Sequence, residues 1–97
     1  MAAYILLGNW TDQGIRNIKQ APERRRRVTE AAEKMGCKVI AVSMTMGPYD
    51  LVIRVDAPDD ETIARLALSI GAQGNLRTTT LKAFPADDFE RIIGSLS

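Results

Sequence analysis

Two helix-period stripes, separated by a pair of adjoining strand-type runs, constrain this chain more than any other feature. Val28, Ala31, Ala32 and Met35 fall at i, i+3, i+4 and i+7, and Ile63, Leu66, Ala67 and Ile70 repeat that spacing. Each set lines up one buried face of a helix. Between them lie KVIAVSMTM (38–46) and DLVIRV (50–55), apolar β-type runs joined by a turn at Gly47-Pro48. Two further runs flank the set, AYILLG (3–8) and the threonine-rich NLRTTTLKAF (75–84). The order is strand–helix–strand–strand–helix–strand, which predicts an α+β ferredoxin-like βαββαβ sandwich with all helices on one face of a four-stranded antiparallel sheet. An extra C-terminal helix after Pro85 carries Phe89, Ile92, Ile93 and Leu96 on one side. A doubly wound α/β sheet would need more helices than 97 residues supply, and the length fits a single domain over 1–97.

Local signals fit this plan. Thr11 is an N-cap for a short first helix bearing Ile15 and Ile18, and Pro22 ends that helix while suiting the first turn of the next. Gly36 stops the second helix. Asp59-Asp60-Glu61 follows Pro58 at a helix start, where carboxylates suit the exposed N–H groups and the dipole, so capping is favoured over a metal or acid–base cluster.

The strands carry a second message. A sheet covered by helices on one face should alternate apolar and polar residues. Here the first strand offers Tyr4 and Leu6 on one side and Ile5 and Leu7 on the other, and the second offers Ile40, Val42 and Met44 against Val39 and Ala41. Both faces need cover and the helices suffice for one. The expectation is a homodimer or higher homo-oligomer packed sheet to sheet.

Composition narrows the chemistry. The chain has no histidine, which removes the usual proton shuttle and the commonest metal ligand, and no metal centre or cofactor is expected. A lone Cys37 permits no internal disulfide and suits a small buried apolar position. The net charge of +1 does not match a nucleic-acid binder. Glu23-Arg24-Arg25-Arg26-Arg27 is the strongest charge run, but Glu23–Arg27, Arg26–Glu30 and Glu30–Lys34 stand at i, i+4, the pattern of a solvated helix face. Gly71-Ala72-Gln73-Gly74 matches a GXXG loop, yet it joins a helix to a strand and is better explained as a helix stop and turn. The apolar N-terminal run is too short to span a bilayer and lacks a basic leader, so the expected location is cytoplasmic, with no membrane partner.

Three blocks, NWTDQGIRNIK, MTMGPYDLVIRVDAPDDE and GNLRTTTLKAF, together resemble the GYD domain, named for a Gly-x-Tyr-Asp signature. That signature would here be Gly47, Tyr49 and Asp50, and the resemblance runs from about Tyr4 to Phe84. Gly36-Cys37 stands where relatives often have two glycines. The resemblance implies a dimeric α+β barrel, a group that includes ligand-binding regulatory domains and cofactor-free monooxygenases, and it brings no catalytic residues with it. The stretch from Gly47 through Thr80 is also similar in layout to the effector-binding domain of leucine-responsive-type regulators, without their helix-turn-helix.

Three functions stay open. The leading one is a homo-oligomeric binding module that holds a small anionic or amphipathic metabolite in the sheet–sheet space. Trp10 and Tyr49 would form its apolar walls, with Asp50, Arg54, Thr78 and Thr80 the polar contacts and Arg54 the counter-ion. The alternative is a cofactor-independent monooxygenase or isomerase, in which proton abstraction would fall to Asp50, Tyr49 or water. The third is an interaction subunit whose sheet only dimerises.

Overall fold

A computed structural model describes residues 1–97. Strand β1 (Ala2–Trp10) leads into a five-residue helix α1 (Asp12–Arg16), a 3₁₀ turn (Ile18–Gln20) and helix α2 (Ala21–Lys34). A hairpin of β2 (Lys38–Met44) and β3 (Leu51–Ala57) is followed by α3 (Asp60–Ala72), β4 (Leu76–Ala83) and α4 (Ala86–Gly94). The sheet has the order β2-β3-β1-β4 and every neighbouring pair is antiparallel. This is the ferredoxin-like arrangement that the alternation of helical and strand patterns predicts.

Caps and turns act where the side chains place them. Thr11 Oγ1 accepts from Gly14 N at 3.1 Å, and Asp59 Oδ1 accepts from Thr62 N at 2.8 Å and Thr62 Oγ1 at 2.7 Å, each opening a helix. The Thr62 bonds hold the Asp59 carboxyl below its ordinary pKa. Gly36 adopts φ +84° and closes α2, with Gly36 N donating to Glu33 O and Cys37 N to Ala32 O.

One core fills the helix side of the sheet. Tyr4 and Leu6 of β1, Ile53 and Val55 of β3, Ala32 of α2, and Ile63, Leu66 and Ile70 of α3 are all buried there, with Cys37 beside them. Burial raises the Cys37 thiol pKa. Leu6, Leu66 and Val55 are the largest fully enclosed side chains.

Two strand readings need correction. A β-bulge falls between Val39 and Ala41, so Val39 pairs with Val55 and Val42 with Ile53 on the core side, while Ala41 pairs with Arg54 on the other. Ile40 is the extra residue, and the simple alternation that grouped it with Val42 breaks there. In β4, Thr78, Thr80 and Lys82 lie opposite Gly8, Leu6 and Tyr4, on the helix side of the sheet. Directly paired residues share a face, so Thr78 and Thr80 face away from Arg54, whose row is Ala41–Arg54–Ile5–Leu81.

The C-terminal helix forms after Pro85, but its apolar stripe is not buried. Phe89 is 59% exposed and Ile93 51%, α4 ends at Gly94 and so does not carry Leu96, and it packs on hardly any of the rest of the chain. No helix is long and apolar enough to cross a membrane.

Candidate functional site

The three blocks singled out in the sequence converge on one end of the sheet. Trp10, the last residue of β1, donates its backbone N–H to Asp50 Oδ2 at 3.0 Å, while Asp50 N donates to Gly8 O at 2.8 Å. Past the Gly8–Leu51 pair the β1–β3 ladder ends, and the Asp50 carboxylate takes the N–H that lies beyond it. The hairpin corner is closed from within: Thr45 N donates to Asp50 O at 2.8 Å, and Thr45 Oγ1 to Tyr49 O at 2.6 Å.

The start of β4 is tied to the same place. Thr11 N donates to Asn75 O at 3.1 Å, Thr11 Oγ1 to Gly74 O at 2.6 Å, and Gln13 Nε2 reaches Gln73 O and Asn75 Oδ1. Gly14 sits against this strand so closely that a Cβ on it would lie 2.1 Å from Asn75 O. Only glycine permits that approach.

A family sequence profile described as GYD domain matches residues 4–93. The chain belongs to the GYD domain family. The chain is also similar to a Thermus thermophilus protein named "Glutamine synthetase and cystathionine beta-lyase binding protein", with 37% identity over 89 residues, 91% of this chain and 94% of the relative. In this GYD domain the signature tyrosine and aspartate are structural parts of the hairpin exit, joined by main-chain and side-chain bonds to Thr45 and β1.

The residues proposed from sequence therefore divide among three places. Trp10 lines a cavity of about 340 Å³ on the helix side, between α2, α3 and the sheet. Tyr49 and Asp50 form the corner, outside that cavity, and Thr78 and Thr80 sit on the helix side without lining it. Arg54 lies on the opposite, open face of the sheet. Its Nη2 is 3.8 Å from Asp56 Oδ1, and its Nε is buried with no hydrogen-bond partner.

The open face is a continuous surface built from all four strands. Cross-strand rows run Ala41–Arg54–Ile5–Leu81 and Ser43–Val52–Leu7–Thr79, flanked by Lys38–Asp56–Ala3–Ala83. Its centre is aliphatic and its charges, Arg54 and Asp56 with Lys38, are of both signs. Neither α2 nor α3 covers it, because both pack against the core on the other side.

A different pair of arginines marks the cavity. Arg24 and Arg25 line it together with Trp10, Val28, Val42 and Leu51, and no acidic residue does. The solvated-face reading of the arginine run holds for Arg27, whose Nη2 meets Glu23 Oε1 at 2.7 Å, but fails for Arg24. Arg24 Nη1 donates to Asn17 O at 2.8 Å, and Nη2 is buried without an acceptor. A signal for this was available: Arg24 precedes Val28 by four residues and so continues the apolar stripe of α2.

At the far end of the sheet, the Tyr4 hydroxyl donates to Asp60 Oδ1, and Lys82 Nζ lies 3.1 Å from the same oxygen. The Tyr4 bond first, and then Lys82, hold the Asp60 carboxyl below its ordinary pKa. The Tyr4 phenol is pushed up to about 12, chiefly by donating to that carboxylate. This cluster ties β1, β4 and the start of α3 together.

Proposed function

We propose that this GYD domain is a homodimeric binding module that docks onto metabolic enzymes. The observation that carries the reading is the open sheet face, whose aliphatic centre of Ile5, Leu7, Val52 and Leu81 is left uncovered by α2 and α3. Two such faces packed sheet to sheet bury the apolar rows of both copies. A two-fold interface is self-complementary, so the half-exposed Arg54 of one copy can meet Asp56 of the other. The result is the dimeric α+β barrel expected of the resemblance.

The amphipathic α4 arms, exposed at Phe89 and Ile93, then project from the dimer as helix-in-groove ligands for a larger protein. A relative named for binding glutamine synthetase and cystathionine beta-lyase supports an enzyme as that larger protein. A buried, unpaired Cys37 suits a reducing, cytoplasmic setting. Of the bases open to the enzymatic alternative, Asp50, Tyr49 or water, the Asp50 carboxylate is already the acceptor of the Trp10 N–H.

Sedimentation of wild type and Leu7→Glu at micromolar concentration tests the dimer. Wild type should sediment as a dimer or larger and the variant as a folded monomer, and a monomeric wild type overturns the proposal. Binding to purified glutamine synthetase, with and without residues 86–97, tests the arm. Loss of binding on truncation is expected, and unchanged binding assigns the contact elsewhere and overturns α4 as the docking element.

A further inference from the structure

The helix-side cavity lies on the opposite side of the sheet from the open face. Its walls come from all four strands, α2 and α3, and most of its lining is aliphatic or aromatic. At about 340 Å³ it falls within the size range of small-molecule pockets, roughly 300–1,000 Å³. Its only charged residues are Arg24 and Arg25, so its field favours an anion.

Arg24 adds a specific demand. Its Nη1 is held by Asn17 O at 2.8 Å, which fixes the guanidinium at the wall, while its Nη2 is buried and has no acceptor. A guanidinium carries only donors, and a buried donor without a partner is costly. A turn of the Arg24 side chain is needed to bring Nη2 to the cavity, where a carboxylate supplies the missing acceptor and the aliphatic walls take the rest of the molecule.

We infer that the cavity between α2, α3 and the sheet binds an amphipathic monocarboxylate, with Arg24 reading the carboxylate and Val28, Val42 and Leu51 enclosing the apolar body. Trp10, the sole tryptophan, lies in the wall and reports occupancy directly.

Titration of the full chain with octanoate, followed by Trp10 emission and by calorimetry, tests this. A saturable change is expected with octanoate, weakened roughly tenfold or more when 1-octanol replaces it, as loss of a charge-assisted hydrogen bond requires. Arg24→Gln should bind octanoate and octanol alike, whereas Arg27→Gln, whose side chain pairs with Glu23 outside the cavity, should match wild type. Val28→Phe, which fills the space from α2, should abolish octanoate binding and serves if Arg24→Gln fails to fold. The inference is overturned if octanoate gives no saturable change, if it binds Val28→Phe as it binds wild type, or if a folded Arg24→Gln keeps the preference for the acid. It is equally overturned if removing residues 86–97 alone shifts Trp10 emission to that of an exposed indole, because the arm of a second copy is then the occupant. The dimer is read by sedimentation and the cavity by ligand titration, so either can fail without the other.

Discussion

The carboxylate of Asp50 accepts the backbone N–H of Trp10 at 3.0 Å, across 40 residues of sequence, at the point where the β1–β3 ladder runs out. The bond joins the hairpin corner to the strand that carries the cavity's tryptophan. Asp50→Ala should cost about 1–3 kcal/mol in urea unfolding, the range for a hydrogen bond to a charged acceptor and the donor it leaves behind. Asp50→Asn should retain most of the stability, because an amide oxygen still accepts. Hydrogen exchange at the Trp10 amide should speed up in the alanine variant, and an unchanged rate would mean that the bond does not protect it.

Gly14 is expected to tolerate no side chain. Its Cβ would meet Asn75 O at 2.1 Å, and that atom is backbone, already the acceptor for Thr11 N. Gly14→Ala must displace α1 from the start of β4, at a cost of about 1–3 kcal/mol typical of overpacking. Thermal melting checks the loss, and equal Tm values would contradict the close approach.

Stability should depend on pH at both extremes, for opposite reasons. The Tyr4 phenol is raised from 10.0 to about 12, so its contribution is intact below pH 10 and is lost as pH rises through that interval. Asp59 and Asp60 are depressed below 3.8, so theirs is present above that value and lost as pH falls beneath it. Tm measured across pH in wild type and Tyr4→Phe should differ most near neutrality and converge above pH 12. A constant difference would remove the Tyr4–Asp60 bond as its source.

Cys37 is 5% exposed, and burial raises its thiol pKa. Both effects keep the reactive thiolate scarce and inaccessible. Labelling with an aromatic disulfide reagent in native buffer should be slow, and should accelerate in step with denaturant-induced unfolding. Rapid stoichiometric labelling of the folded protein would contradict the burial.

How much of this was legible in the sequence depended on contrast along each element. The stripes of α2 and α3 were plain because apolar residues recur at helical spacing against charged neighbours, and Thr11 and Asp59 sit where a cap is the favoured explanation. The phase of β4 was not legible. Three consecutive threonines give no polar–apolar contrast, and only pairing with β1 turned Thr78 and Thr80 to the helix side. The bulge in β2 was hidden for a similar reason, since Val39, Ile40, Ala41 and Val42 are all apolar.

The candidate site shows the same division. Sequence pattern singled out Trp10, Tyr49, Asp50 and Arg54, but it could not say which would share a surface. By itself the sequence determined the element order, the helix caps, the amphipathic last helix and the excess of apolar strand residues, because each rests on neighbours within a few positions. Tertiary structure alone decided that Asp50 completes the end of β1, that Arg54 and Trp10 belong to opposite faces, and that Arg24 turns from a charge run toward a cavity. Those outcomes depend on strand register and on the spacing of two helices above a sheet, which arise only when residues far apart in the chain are packed together.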